Sequence, residues 1–191
     1  MGLPKSSLMD TLHEPDLASP SSIFDLVNFL FSEFVGVSGS VVTRLCESEY
    51  GITREEWQFV AMLANLGALS PSDLAARTTV DRSQTSKTLR ALMLKGLVER
   101  QRVPGDGRRA LVLLSAEGHA LYPQIFPRVV DLHHRVLANV SASEMKLLAS
   151  TLLKMQASAL ALARDHKVEG TPGRRQGGSR ANWRRQAQGS A

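Results

Sequence analysis

The sequence has little cysteine, few aromatic residues and no long apolar run. Cys46 is the single cysteine among 191 residues, so the chain cannot form a disulfide within itself. Aromatic residues make up 5% of the chain against a hydrophobic fraction of 43%, and this aliphatic excess favours helices. No apolar run approaches the roughly 20 residues that a membrane span needs, and residues 1–5 lack the start of a secretory signal. We therefore expect a cytoplasmic protein with no membrane partner.

Sequence motifs of enzymes and metal sites are also missing. There is no phosphate-binding glycine loop, no nucleophile elbow and no clustered pair of acids. Histidine occurs at positions 13, 119, 133, 134 and 166, without cysteine partners or close ligand spacing. The sequence thus predicts a protein that is not an enzyme and that holds no metal ion or cofactor.

Charge is unevenly distributed along the chain. Residues 77–109 carry nine Lys or Arg against three acids, whereas residues 1–76 carry three basic residues against ten acids. The formal net charge of +5 comes from residues 167–191, which hold six basic residues and one acid. A basic band inside an otherwise acidic body is typical of a surface that meets phosphate.

The first helical segment has two apolar faces. Residues 1–20 are rich in Pro and Ser and predict a flexible arm, after which apolar positions recur at steps of three and four over residues 21–48. A second apolar stripe, with Phe24, Phe31 and Val35, runs beside the first, so this helix must be covered on two sides. Gly36 and Gly39 predict a bend or a close helix crossing.

Capping residues divide residues 51–115 into short elements. Thr53, with Glu56 completing a capping box, begins a helix to Leu66, Ser70 begins one to Arg77, and Asp81 begins one that ends at Gly96. A strand at 97–102, turn chemistry at 104–107 and a returning strand at 110–114 follow. The predicted fold is mainly α with a small β-hairpin wing, that is, an α+β winged helix within one domain at residues 21–166.

Two further helices are predicted at residues 116–164. The first begins at Ser115 and reaches about Asn139, and Pro123 and Pro127 predict a kink or break near 119–127. The second begins at Ser141, with Glu144 completing a capping box, and runs to about Arg164. Residues 167–191 predict a disordered basic tail, which either adds nonspecific DNA affinity or is simply solvated.

The helix after Asp81 carries the candidate DNA-reading side chains. Thr85, Thr88, Leu89 and Leu92 predict its buried face. The opposite face and its N-terminal flank hold Arg82, Ser83, Gln84, Ser86, Lys87 and Arg90. Such a helix inserts its N-terminal residues into the major groove, where Gln suits adenine and Arg or Lys suits guanine or phosphate. The alternative interpretation is a solvated charged face.

The wing strengthens the DNA-binding interpretation. Arg108 and Arg109 follow Asp106 at the tip of the hairpin, where an arginine can enter a narrow minor groove. Asp106 is placed to pair with one of these arginines, or serves only as a turn residue.

The ordered series of motifs resembles the MarR family of winged helix-turn-helix regulators. The residues that carry the resemblance are Leu74-Ala75, Val80-Asp81-Arg82-Ser83, Lys95-Gly96-Leu97-Val98-Glu99-Arg100, Asp106-Gly107-Arg108 and Leu114-Ser115-Ala116-Glu117-Gly118, with Gly51-Ile52-Thr53 and Glu56-Trp57 before them. It extends over about residues 22–163 and implies a bacterial, nucleoid-associated homodimer, most simply a repressor. The dimer helices would be those at 21–48 and 116–164. The resemblance also implies a palindromic operator on double-stranded DNA and assigns the minor-groove arginine to Arg108.

The resemblance further implies release from DNA by a small aromatic carboxylate or phenolic effector. The expected site involves Phe31, Phe34, Arg44, Trp57 and Met62, which would supply a flat apolar wall and one cation. The alternative is that these aromatic residues are ordinary core. Two other functions stay open: a thiol-based redox sensor using Cys46, and a winged-helix protein-interaction module that does not bind DNA.

Overall fold

The computed structural model describes residues 14–78, 80–103 and 106–165, and for residues 102, 103 and 106–109 it describes only the backbone. The helices are α1 (Val27–Tyr50), α2 (Arg54–Leu66), α3 (Pro71–Thr78), α4 (Arg82–Leu94), α5 (Ala116–Val136) and α6 (Ala142–Asp165). The strands are β1 (Val98–Val103) and β2 (Asp106–Leu114). This arrangement confirms the winged-helix fold class that the sequence predicts.

The N-terminal helix begins later than its apolar pattern predicts. A separate 3-10 turn at Ile23–Asp25, capped by Ser22, precedes α1, so the predicted start at residue 21 is wrong by about six residues. The chain leaves the turn through Leu26, which has an extended backbone. Residues 16–22 make hydrogen bonds to the Asp16 and Asp25 carboxylates, so this part of the predicted flexible arm is held in place. Residues 1–13 lie outside the described residues.

The helix α1 is continuous through both of its glycines. Of the two predicted alternatives, a bend or a close helix crossing, a close approach to the start of α2 is found at Gly39. Gly39 is buried against the guanidinium of Arg54, at the start of α2, and a Cβ at this position would collide with it. The absence of a Cβ at Gly39 leaves room for this guanidinium, which is the far end of a flexible side chain.

By length and composition α1 could also cross a membrane, which the sequence reasoning did not recognise. Its 24 residues include an 18-residue window with a mean hydropathy of 1.3. Its C-terminal half is part of the protein core, where Leu45 and Cys46 are buried against the winged-helix elements. The apolar side chains of α1 thus pack into the core in its C-terminal half and form an exposed apolar surface in its N-terminal half.

The core lies between α2, α3, α4 and the sheet. Thr53 caps α2 in the predicted capping box with Glu56, and Trp57, Phe59, Val60 and Leu63 are buried on one side of that helix. Leu74 of α3 and Leu92 of α4 complete this core with no exposed surface. Residue 79 lies outside the described residues. Burial of these aliphatic side chains is the main term that holds the three short helices together.

The wing is a two-stranded antiparallel ladder, and a single residue, Leu69, forms an isolated bridge to it. Val98 pairs with Leu114 and Arg102 with Ala110, and the register shifts between Arg102 and Val103. β2 begins at Asp106 instead of residue 110, so the predicted returning strand was too short. Leu69 exchanges two backbone hydrogen bonds with Val112, which the sequence reasoning missed.

The helix α5 continues through both of its prolines, so the predicted break near residues 119–127 is wrong. Tertiary contacts hold this stretch. Ile125 is fully buried between the two prolines, and Tyr122 stacks on Trp57 with ring centroids 5.6 Å apart. These contacts offset the hydrogen bonds that the prolines remove.

Residues 139–165 form a second compact unit, which consists mainly of α6. Ser141 and Glu144 form the predicted capping box at its start, with the Ser141 amide 2.8 Å from the Glu144 carboxylate. None of its residues is buried. The single domain predicted for residues 21–166 stays a prediction, and residues 166–191, with the basic tail, lie outside the described residues.

Candidate nucleic-acid interface

The helix α4 has one buried and one exposed face, as the sequence predicts. Asp81 caps it, accepting a hydrogen bond from the Gln84 amide at 2.9 Å, and the Thr85 hydroxyl donates to the Asp81 carbonyl at 2.8 Å. Thr85, Thr88, Leu89 and Leu92 are buried. The rest of the helix surface is therefore free to meet a partner.

All six candidate DNA-reading residues of α4 lie on that exposed surface. They are Arg82, Ser83, Gln84, Ser86, Lys87 and Arg90. The Ser86 hydroxyl donates to the Arg82 carbonyl at 2.9 Å, so it is tied to its own helix and adds little bulk. This exposed face carries three cations, one amide side chain and two serines. It begins at the N-terminus of α4, where free backbone N–H groups also favour phosphate.

A buried carboxylate fixes the C-terminal end of α4. Lys95 follows the helix, and its ammonium lies 2.6 Å from Glu56 Oε2 and 2.8 Å from the Gly51 carbonyl. The same Glu56 oxygen accepts from the Thr53 amide at 2.7 Å. We call this group the Glu56–Lys95 brace. Sequence reasoning assigned Glu56 only to the capping box, because no local signal pairs it with a residue 39 positions away.

The base of the wing is joined to α4 and α5. Gly96 has a positive φ of 71°, and the Ser115 hydroxyl donates to its carbonyl at 2.6 Å. The Ser115 amide donates to the Leu97 carbonyl, which packs directly on Gly118. These contacts fix the orientation of the β-hairpin relative to α4 and α5.

The wing arginines lie on β2, but their side chains are outside the described residues. Arg108 and Arg109 belong to the strand that begins at Asp106, and residues 104–105 are outside the description as well. The predicted pairing of Asp106 with an arginine therefore stays a prediction. Arg100 and Gln101 are exposed on the neighbouring strand β1.

A cavity of about 540 Å³ lies between α1, α5 and the start of α2. Its walls are mainly aliphatic and carry Arg54, His133 and Arg135. The lining residues are Phe34, Val35, Ser38, Gly39, Val41, Val42, Arg54, Val129, Leu132, His133, Arg135 and Val136. An apolar cavity with a few cations is suited to a small organic anion.

The five predicted effector residues are not brought together at this cavity. Phe34 lines it, whereas Phe31 and Arg44 are exposed on α1 and do not. Trp57 is 6% exposed and belongs to the core, and Met62 packs against that core. One cation that lines the cavity is Arg54, which the sequence analysis did not single out.

Cys46 is fully buried within the core. Burial raises the pKa of its thiol to about 11, since a thiolate is poorly solvated there, and Glu47 adds to this rise while Arg54 opposes it. A reactive thiol needs a lowered pKa and access to solvent. Cys46 has neither.

Potential metal ligands do not gather in the part of the chain that the structure describes. No three His, Cys, Asp or Glu side chains lie close enough together to hold an ion there. The rings of His133 and His134 are 5.7 Å apart and tilted, and His133 lines the cavity.

Comparison with known proteins decides the family. The MarR family model matches residues 50–109. The HTH-type transcriptional regulator FarR of Neisseria gonorrhoeae is 32% identical over 106 residues, which cover 56% of this chain and 72% of that protein. The multiple antibiotic resistance protein MarR of Salmonella typhimurium is 30% identical over 109 residues, covering 56% and 76%. The chain belongs to the MarR family.

A solved MarR structure agrees with this assignment. Wild-type MarR from E. coli in its apo form superposes with a TM-score of 0.54 at 27% identity, covering 65% of this chain and 95% of that one. The MarR family is one of transcriptional regulators and not of enzymes. The protein is accordingly a DNA-binding transcriptional regulator of the MarR type.

Proposed function

We propose that the protein is a homodimeric repressor that binds a palindromic operator through α4 and the wing. The observation that carries this proposal is the exposed face of α4, where Lys87 and Arg90 stand opposite a buried face. In a twofold dimer the two α4 helices enter successive major grooves about 34 Å apart. Arg108 and Arg109 enter the flanking minor grooves, where A·T-rich sequence deepens the negative potential.

Site selection from random DNA tests this mode of binding. We expect an inverted repeat whose half-sites are about one helical turn apart. Gln84→Ala is expected to relax the base preference at one position per half-site and to leave nonspecific affinity nearly unchanged, because base contacts specify and phosphate contacts position. Gln156→Ala, the same change on the exposed surface of α6, is the control. A selected sequence without twofold symmetry would contradict the dimeric operator.

The effector is a small aromatic or phenolic acid. The support for this part of the proposal is the cavity beside α1, whose apolar walls fit a ring and whose Arg54 fits a carboxylate. Phe34 offers one aromatic surface to such a ring. Binding in a cavity lined by α1 and α5 favours one arrangement of these helices, and through α5 it acts on the base of the wing.

A thermal-shift screen of aromatic carboxylates tests the effector, because a ligand that binds the native state raises Tm. Arg54→Met is expected to abolish the shift produced by an active compound. Arg44→Met alters an exposed arginine outside the cavity and is expected to preserve that shift. The reverse result would place the effector at Arg44. A compound that raises Tm but leaves DNA binding unchanged is not the effector.

The two other functions have less support. A redox sensor through Cys46 conflicts with the burial and the raised pKa of the thiol. A protein-interaction module without DNA binding leaves the cationic face of α4 without a role.

A further inference from the structure

The cavity beside α1 presents charge of only one sign. Arg54, His133 and Arg135 are the charged or titratable side chains among its twelve lining residues, and no acid is among them. The hydroxyl of Ser38, another polar lining residue, donates to the Phe34 carbonyl at 2.7 Å and is thus tied to its own helix. A bound molecule therefore meets apolar walls and positive charge, and no negative charge.

The guanidinium of Arg54 has unused hydrogen-bond donors. It is half-buried beside Gly39, and within the described part of the chain it forms no hydrogen bond and no ion pair. Arg128 differs, because it donates to both carboxylate oxygens of Glu49, at 2.8 and 3.0 Å. A guanidinium binds a carboxylate best through two parallel hydrogen bonds, so Arg54 is suited to bind one that a ligand brings.

The other positive groups come from the α5 wall of the cavity. His133, His134 and Arg135 all lie in the last turn of α5, where backbone carbonyls favour cations. Of these three, His133 and Arg135 line the cavity and His134 does not. Because Arg54 stands at the start of α2, cationic groups from two different helices face the same space.

The surroundings of His133 link its charge to an anion in the cavity. Arg54 faces it from α2, Arg135 lies on its own helix, and the His134 ring is 5.7 Å from the His133 ring. The wall formed by α1 contributes no titratable side chain to the lining. A bound anion favours the protonated imidazole, because an opposite charge at close range stabilises the charged form.

The cavity also has room for a ligand with a second anionic group. Its volume of about 540 Å³ lies within the range of roughly 300–1,000 Å³ that is typical of small-molecule sites. A monocarboxylate bound at Arg54 leaves His133 and Arg135 without a counter-charge, and a second acidic group on the same ring supplies one.

We propose that the effector is an aromatic dianion, with one anionic group bound by Arg54 and the other by His133 and Arg135, and that His133 takes up a proton when it binds. This rests on the effector cavity of the proposed function and adds to it the charge of the ligand and the pH dependence of its binding. Histidine changes its charge between about pH 5 and 8, so affinity for the dianion decreases as the pH rises through this range.

Calorimetric titration of the full chain with benzoate and with the three benzenedicarboxylates tests the dianion. Carboxyl groups of these acids are ionised above about pH 6, so the acids keep their charge while histidine titrates. At about pH 6 at least one dicarboxylate is expected to bind on the order of tenfold more tightly than benzoate. Its affinity is expected to fall on the order of tenfold by about pH 8. Titrations in buffers of different ionisation enthalpy measure the expected proton uptake.

Two variants locate the proton. His133→Gln is expected to abolish both the proton uptake and the pH dependence of dicarboxylate binding. His134→Gln makes the same change on the adjacent, exposed residue outside the cavity, and is expected to preserve both. Loss of the pH dependence in His134→Gln but not in His133→Gln would overturn the assignment to His133.

The remaining outcomes separate this inference from the proposed function. If benzoate or another aromatic monocarboxylate binds as tightly as every dicarboxylate, the dianion is refuted and the aromatic effector stands. If no aromatic acid binds, both are refuted. Arg135→Met is expected to bring the affinities for benzoate and the best dicarboxylate closer together, and an unchanged ratio would contradict the role of Arg135.

Discussion

Glu56 shows how one side chain can position a DNA-reading helix without facing DNA. It is 3% exposed, and its carboxylate contacts both the start of α2 and Lys95 after α4. A buried carboxylate is costly unless its hydrogen-bonding capacity is filled. Lys95 fills it while remaining 36% exposed, so the ion pair is partly screened by solvent.

Lys95→Met is expected to lower the free energy of unfolding by about 1–3 kcal/mol, because Glu56 keeps its burial and loses its cation. The range is below that of a fully buried pair, since Lys95 is partly solvated. Urea unfolding measures the effect. Lys146→Met, on the exposed surface of α6, is the control. Adding Glu56→Gln to Lys95→Met is expected to restore part of the lost free energy of unfolding, because the uncharged amide no longer needs a cation. A further decrease in the free energy of unfolding would contradict the Glu56–Lys95 brace.

Local signals made the short elements predictable. Thr53, Asp81 and Ser115 cap the helices that follow them, because an N-cap acts over three residues and needs no tertiary partner. The continuity of α5 through Pro123 and Pro127 was not predictable in this way. It depends on contacts with Trp57 and the core, and these join residues far apart in the sequence.

Gly118 lies where α5 contacts the base of the wing, so substituting it tests how these two elements are held together. A Cβ there would collide with the Leu97 carbonyl, a backbone atom that cannot move without displacing β1. Gly118→Ala is expected to destabilise the protein by about 2 kcal/mol or more and to weaken DNA binding. Gly36→Ala is the matched control, because nothing lies within 4 Å of its Cβ position and alanine favours helix. Equal Tm values for the two variants would contradict the role of this contact.

Across the whole molecule, the positive charges are concentrated on α4 and the wing. The candidate DNA-reading cations lie on α4 and the wing, while residues 27–43 of α1 carry a single charge, on the half-buried Glu33. The uneven charge follows from counting residues along the sequence, and the exposure of the six α4 candidates follows from helical periodicity. The sequence did not predict Arg54 at the cavity or the hydrogen bonds from residues 16–22 to the Asp25 carboxylate, because both depend on where the chain folds back on itself.

The salt dependence of DNA affinity tests the central claim most directly. If Lys87 and Arg90 of each protomer neutralise one phosphate apiece, the double variant to alanine is expected to reduce the slope of log K against log salt by about 3.6 for the homodimer, at roughly 0.9 for each of four phosphates. The Lys146→Ala, Lys154→Ala double variant on α6 removes equal charge from another surface and is expected to keep the wild-type slope. A wild-type slope in the Lys87, Arg90 variant would contradict DNA binding through α4.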